Sequence, residues 1–126
     1  MAVLEHRALT ATIISLAIKV HRYVGPGLLE SVYKECLGIE LAEAGITFER
    51  ETTVPVVYRA RTIPLGFRAD IIVDNKILIE IKAVVQLIPA RQSQRLTCLR
   101  MSGLQIGPLM NFHAPRLKDG VRRLIV

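Results

Sequence analysis

Two aliphatic runs, Phe67 to Val73 and Ile77 to Val84, flank the turn-forming tripeptide Asp74-Asn75-Lys76. β-Branched residues dominate both runs, so each reads as a strand. The short polar link predicts that they pair as a hairpin. Apart from Arg68 near the strand start, three charges stand inside these apolar strands, Asp70, Glu80 and Lys82. Central strands seldom carry ionisable groups, because an unpaired buried charge is strongly destabilising. Glu80 and Lys82 are two residues apart and share one strand face, while Ile79, Ile81 and Ala83 take the other. A three-residue loop sets Val73 opposite Ile77 and therefore Asp70 opposite Glu80, with the pair roughly 5 Å apart. A two-residue loop would turn Asp70 to the wrong face. The three-residue register, or an equivalent bulge, is the expectation.

Two carboxylates that close repel each other, and a hard divalent cation resolves the conflict. Mg²⁺ takes oxygen ligands from one or two carboxylates and keeps several waters. A lysine beside them can orient or help deprotonate a bound water and can stabilise charge on a phosphate. Metal, activated water and cation together suit phosphodiester hydrolysis. The plainer alternative is a salt-bridged Glu80–Lys82 pair on an exposed strand face, with Asp70 a hairpin charge.

The rest of the chain frames this hairpin. Leu9, Ile13, Leu16, Ala17 and Val20 recur at helical spacing, predicting a helix over about 5–23 that Gly25-Pro26-Gly27 stops. A second helix is predicted from Leu28 to Ala44, ended by Gly45. Thr52 to Tyr58 reads as a strand with Pro55 marking an edge or bulge, and Thr62 to Leu65 as a brief extended piece. A third helix is predicted from Pro89 to Ser102 and a strand from Ile106 to Phe112, with Leu124-Ile125-Val126 as one more short strand. The order α-α-β-β-β-α-β implies an α/β fold, a mixed central sheet flanked by helices, in a single domain over residues 1–126.

Lys plus Arg number 17 against 11 Asp plus Glu, a net charge of +6 that suits a polyanionic partner. Cys36 and Cys98 lie far apart without a CxxC partner, which argues against a zinc site and for two reduced thiols in a cytoplasmic protein. The apolar run Leu9 to Val20 contains Lys19 and is too short for a membrane span, so it reads as a helix of the mature chain.

Further polar groups could join the hairpin. Glu30 opens the second helix, where the helix dipole favours a carboxylate, and Tyr33 shares its face one turn on. Gln94 on the third helix could bond a water, a base or a phosphate, or be satisfied by backbone. Arg91, Arg95 and Arg100 give that helix a basic side able to track a phosphate backbone, or simply a solvated face.

The succession Val20-His21-Arg22, Gly25-Pro26-Gly27-Leu28-Leu29-Glu30-Ser31-Val32-Tyr33, Arg68-Ala69-Asp70, Glu80-Ile81-Lys82-Ala83, Gln94, Gly103-Leu104, Asn111-Phe112 and Leu117-Lys118-Asp119-Gly120 resembles the GxxExxY protein family along nearly the whole chain. That family is placed in the PD-(D/E)XK nuclease superfamily, similar in fold to restriction endonucleases, Holliday-junction resolvases and RecB-type exonuclease domains. The resemblance implies a restriction-endonuclease-like core with Asp70, Glu80 and Lys82 as its catalytic centre, assisted by Glu30 and Gln94. Asp70, Glu80, Glu30 and the Ile81 carbonyl are then the expected ligands of Mg²⁺ or Mn²⁺. Arg68, Arg91, Arg95 and Tyr33 are the expected contacts to nucleic acid, DNA in the first instance. Two positions depart from the pattern: Ala69 replaces the proline of the nominal PD pair, and Cys98 stands where a tyrosine is usual in the QxxxY motif. The alternatives are a catalytically inactive nucleic-acid-binding or assembly module of the same fold, and a structural module that dimerises through the apolar C-terminal strand.

Overall fold

The computed structural model describes residues 2–85 and 89–125; the side chains of residues 2–5, Leu65 and Arg91 lie outside that description. Helices α1 (Ala2–Val24) and α2 (Glu30–Glu43) come first, followed by strands β1 (Phe48–Tyr58), β2 (Arg61–Val73) and β3 (Ile77–Lys82). Helix α3 (Pro89–Ser102) leads to β4 (Ile106–Asn111), a 3-10 turn (Leu117–Gly120) and β5 (Val121–Ile125). Among the described residues the strands form one five-stranded sheet in the order β1-β2-β3-β4-β5. Only β3 and β4, joined by the α3 crossover, run parallel; the other neighbours are antiparallel.

The central hairpin has the three-residue loop. Val73 pairs with Ile77, Ile72 with Leu78 and Ile71 with Ile79. Asp74 and Asn75 hold φ of 52° and 53° in the turn, a left-handed conformation that short polar side chains tolerate.

The sheet separates two apolar layers. Ile71, Val73, Ile77, Ile79 and Ile81 pack with Ile13, Ala17 and Val20 of α1 and Tyr33, Leu37 and Leu41 of α2. On the other side Val54, Ala69 and Leu78 pack with Leu99 of α3. Alternation along β3 therefore sends Glu80 to the α3 side together with Leu78.

Tyr33 closes the link between α1 and α2. Its ring is fully buried and stacked on Phe112 at 4.5 Å. Its hydroxyl donates to the Gly25 carbonyl at 2.7 Å and accepts from the Leu28 amide at 3.1 Å. The expected nucleic-acid contact at Tyr33 is thereby corrected: a side chain with no exposed surface and a satisfied hydroxyl is part of the core. Tyr33→Phe should cost about 0.5–1.5 kcal/mol, since it removes two part-buried hydrogen bonds. Urea unfolding of the two proteins measures the difference.

Several boundaries differ from the sequence pattern: β3 ends at Lys82 rather than Val84, and β5 begins at Val121 rather than Leu124. β1 begins at Phe48 rather than Thr52, and the pieces expected at Thr62–Leu65 and Phe67–Val73 are one strand. Gly66 does not break that strand but sits in a bulge, where a Cβ would lie 2.3 Å from the Val54 carbonyl oxygen. Ile125 of the C-terminal run ends β5, and Val126 lies outside the described residues.

Candidate active site at the fork of the central hairpin

The β2–β3 ladder stops one pair short of Asp70 and Glu80. There the strands part, and the Asp70 carboxylate takes the place of the missing backbone partner. Its Oδ2 accepts the Ile81 amide at 2.8 Å. Across β1 the regular ladder is interrupted at the same level. Arg50 pairs with Ile71 and Thr52 with Ala69, while Glu51 between them holds a φ of 55°.

Glu80 is 4 % exposed, and its Oε1 has no hydrogen-bond partner. Burial pushes its carboxyl up to about 8, and the neighbouring Asp70 adds to the effect as a like charge and as a hydrogen-bond partner. Arg95 and Lys82 pull the other way. Glu80 thus retains its proton near neutral pH. Lys82 ends β3, half-buried, beside Asn111 of β4.

The Ile81 carbonyl points the same way as the acids. The Phe112 amide donates to the Lys82 carbonyl at 2.8 Å, so the Lys82 carbonyl faces β4. Carbonyls alternate along a strand, which turns that of Ile81 towards β2 and Asp70. Asn111 holds the segment after β3 in place: its side chain accepts from the Val84 amide at 3.0 Å and donates to the Val84 carbonyl at 2.8 Å.

Two cations that the sequence pattern did not place here reach the acids. Lys34, one turn beyond Glu30 on α2, meets Asp70 Oδ1 at 2.9 Å and Glu51 Oε1 at 3.2 Å. Burial works against its charge, but Asp70 and then Glu51 outweigh it, and the ammonium is held above its usual range. The four-residue spacing from Glu30 was the available signal. Arg95 of α3 meets Glu80 Oε2 at 3.3 Å, with side-chain exposures of 15 % and 5 %. This corrects the expectation that Arg95 tracks a phosphate backbone from the surface: it points inward, and its Nε is buried without a partner.

The remaining candidates are scattered. Glu30 stands at the start of α2 and its Oε2 accepts the Ala83 amide at 3.3 Å, which places it at the same end of β3. Among the described residues, however, no group of three acids, histidines or cysteines is disposed to hold a metal. Gln94 is exposed, and it is the adjacent Arg95 that turns inward. Cys98 is half-buried near Arg95 and Glu80, and burial raises its thiol. Arg68 is exposed and bound to Glu51 at 3.0 Å. The side chain of Arg91 lies outside the described residues.

A sequence model of the PD-(D/E)XK nuclease superfamily matches residues 7–124. The chain belongs to the PD-(D/E)XK nuclease superfamily. Its α/β architecture, a mixed sheet flanked by helices with an acid-bearing central hairpin, is the restriction-endonuclease-like fold. No curated protein and no solved structure matches the chain. PD-(D/E)XK nucleases generally use divalent metals, and the donors of this chain fit such an ion. Asp70 and Glu80 are oxygen donors at one point, one Glu80 oxygen is buried and unbonded, and a main-chain carbonyl is turned to the same side. Among the described residues, no helix is long and apolar enough to cross a membrane.

Proposed function

We propose that this chain is a Mg²⁺- or Mn²⁺-dependent nuclease that hydrolyses phosphodiester bonds in DNA. The observation that carries this reading is the buried Glu80 beside Asp70, which accepts the Ile81 amide, at the strand fork, with Lys82 two residues on. Asp70, Glu80 and the Ile81 carbonyl would hold the ion, with Glu30 supporting it. A bound divalent cation would supply Lewis-acid polarisation of the phosphate and a more acidic water. Lys82 orients the attacking water and offsets negative charge on the phosphate. Gln94, exposed on α3, would assist by contacting substrate.

The test is cleavage of plasmid, duplex and single-stranded DNA and of RNA by the purified chain, with Mg²⁺, Mn²⁺ or EDTA. Cleavage is expected with either metal and none with EDTA, and Asp70→Asn is expected to remove it. Equal cleavage by Asp70→Asn would defeat the assignment.

One observation favours a second reading, a module that binds nucleic acid without cutting it. Lys34 and Arg95 already occupy the two acids. Calorimetric titration with Mn²⁺ separates the readings: saturable binding supports the nuclease, and its absence together with salt-sensitive DNA binding supports the inactive module.

A further inference from the structure

Outward from Asp70, β1 and β2 continue as a two-stranded ribbon without further strands beside it. β3 pairs with β2 only at residues 71–73, whereas the β1–β2 ladder runs on to Tyr58 and Arg61. Helix α3 covers the base of the ribbon through Val54 and Ala69. Beyond that lies the bulge. Between Val54↔Phe67 and Val56↔Ile63, β2 spends three residues where β1 spends only Pro55. Such an insertion bends a ribbon and increases its twist, re-aiming what lies past it. Gly66 makes the bend possible by its close approach to the Val54 carbonyl.

The segment past the bend is built for contact. Val57, Tyr58 and Ile63 are 60 %, 61 % and 46 % exposed. No acid occurs between Glu51 and Asp70, while Arg59, Arg61 and Arg68 do. Arg68, at the base, is taken by Glu51, which leaves two exposed arginines at the tip. The hairpin turn itself is held by Arg59 and Ala60 at φ of 49° and 64°. A turn of that kind favours Asn-Gly, and an arginine there is a departure that local backbone preference does not explain. From Glu51 to Arg59 the ribbon reaches roughly 25 Å, the length of about seven base pairs at about 3.4 Å each. A two-stranded ribbon also fits the major groove of a duplex.

From these features we infer that the β1–β2 ribbon past the bulge, Val56–Ile63, is an arm that grips duplex nucleic acid beside the site, with Arg59 and Arg61 on its phosphates. The inference rests on the nucleic-acid reading of the site and adds how the substrate is held. Phosphate neutralisation at the tip supplies affinity and register without reading sequence. Tyr58 next to the turn presents an amphipathic ring to sugars or bases.

Fluorescence anisotropy of the full chain with a labelled 30-base-pair duplex in EDTA, from 50 to 200 mM KCl, tests this. The variants are Arg59→Gly with Arg61→Gln, which removes both charges and suits the left-handed turn, and Arg59→Lys with Arg61→Lys, which keeps them. The neutral variant should bind at least about tenfold more weakly at 50 mM, and its log–log salt slope should fall by about 2. The lysine variant should keep a slope near that of the wild type. Equal affinity and slope for wild type and neutral variant overturn the arm while leaving the nuclease reading intact. Absence of wild-type binding at 50 mM overturns both. Loss of binding that tracks a drop from dimer to monomer in light scattering assigns the ribbon to self-association and also overturns the arm.

Discussion

Lys82→Ala is expected to slow metal-dependent cleavage by about 10² to 10⁴, the range associated with loss of a positioned proton-transfer or charge-stabilising group. The argument begins with the strand. Glu80 and Lys82 share a face at the end of β3, where the hairpin ladder has already parted. Lys82 acts on Glu80 as a nearby positive charge but sits at the half-buried rim, where water and substrate can reach it. Its removal takes away a cation without breaking the ion pairs of the two acids or the Ile81 amide bond that holds Asp70. Mn²⁺ affinity by calorimetry should therefore stay within a few-fold of wild type while the single-turnover rate collapses. A fall in both together would place Lys82 in the architecture of the site instead of its chemistry.

Glu80→Gln should abolish Mn²⁺ binding and flatten the pH dependence of stability. The Glu80 carboxyl lies at about 8 in the folded chain against an ordinary value of 4.5. Between those values the folded state keeps a proton that the unfolded state has lost. Stability from this group is therefore intact below about pH 4.5 and declines as pH rises to about 8, by at most about 1.4 kcal/mol per unit. Glutamine carries no such proton, so the variant should lack that component of the slope. Arg95 loses its partner in the variant, a cost without pH dependence in this window, so the slope is the readout and not the absolute stability. In the wild type a bound metal must expel the proton, so Mn²⁺ affinity should climb up to about tenfold per pH unit towards pH 8. Chemical denaturation at a series of pH values, with and without Mn²⁺, measures both effects. Parallel pH profiles for wild type and variant would show that Glu80 does not hold that proton.

The hairpin was legible because its determinants are local. A three-residue polar turn and period-two alternation fix which residues face one another, and Val73↔Ile77 follows from them directly. The partners supplied by the helices were not legible, since the face a helix turns to a sheet is set by packing across the whole layer. One residue on α3 is a rotation of about 100°, the difference between exposed Gln94 and inward Arg95. Lys34 escaped notice for the same reason, although its spacing from Glu30 was visible. Tyr33 shares the Glu30 face by spacing, yet its ring is buried on Phe112 and Gly25 and Leu28 satisfy its hydroxyl. Thr62–Leu65 and Phe67–Val73 read as two separate pieces, although Pro64 and Gly66 lie within one strand. A bulge accommodates both, and only the pairing of β2 with β1 reveals it.

The position of β3 in the sheet has a consequence for how the protein fails. It is the middle of five strands, with a neighbour on each side and a helical layer on each face. Segments so enclosed exchange their amides only through the rarest and largest openings, whereas rims and termini fray often. Warming or mild denaturant should therefore loosen the outlying ribbon well before the strand that carries Glu80 and Lys82. Inactivation on small substrates should coincide with global unfolding, and grip on long ones should be lost earlier.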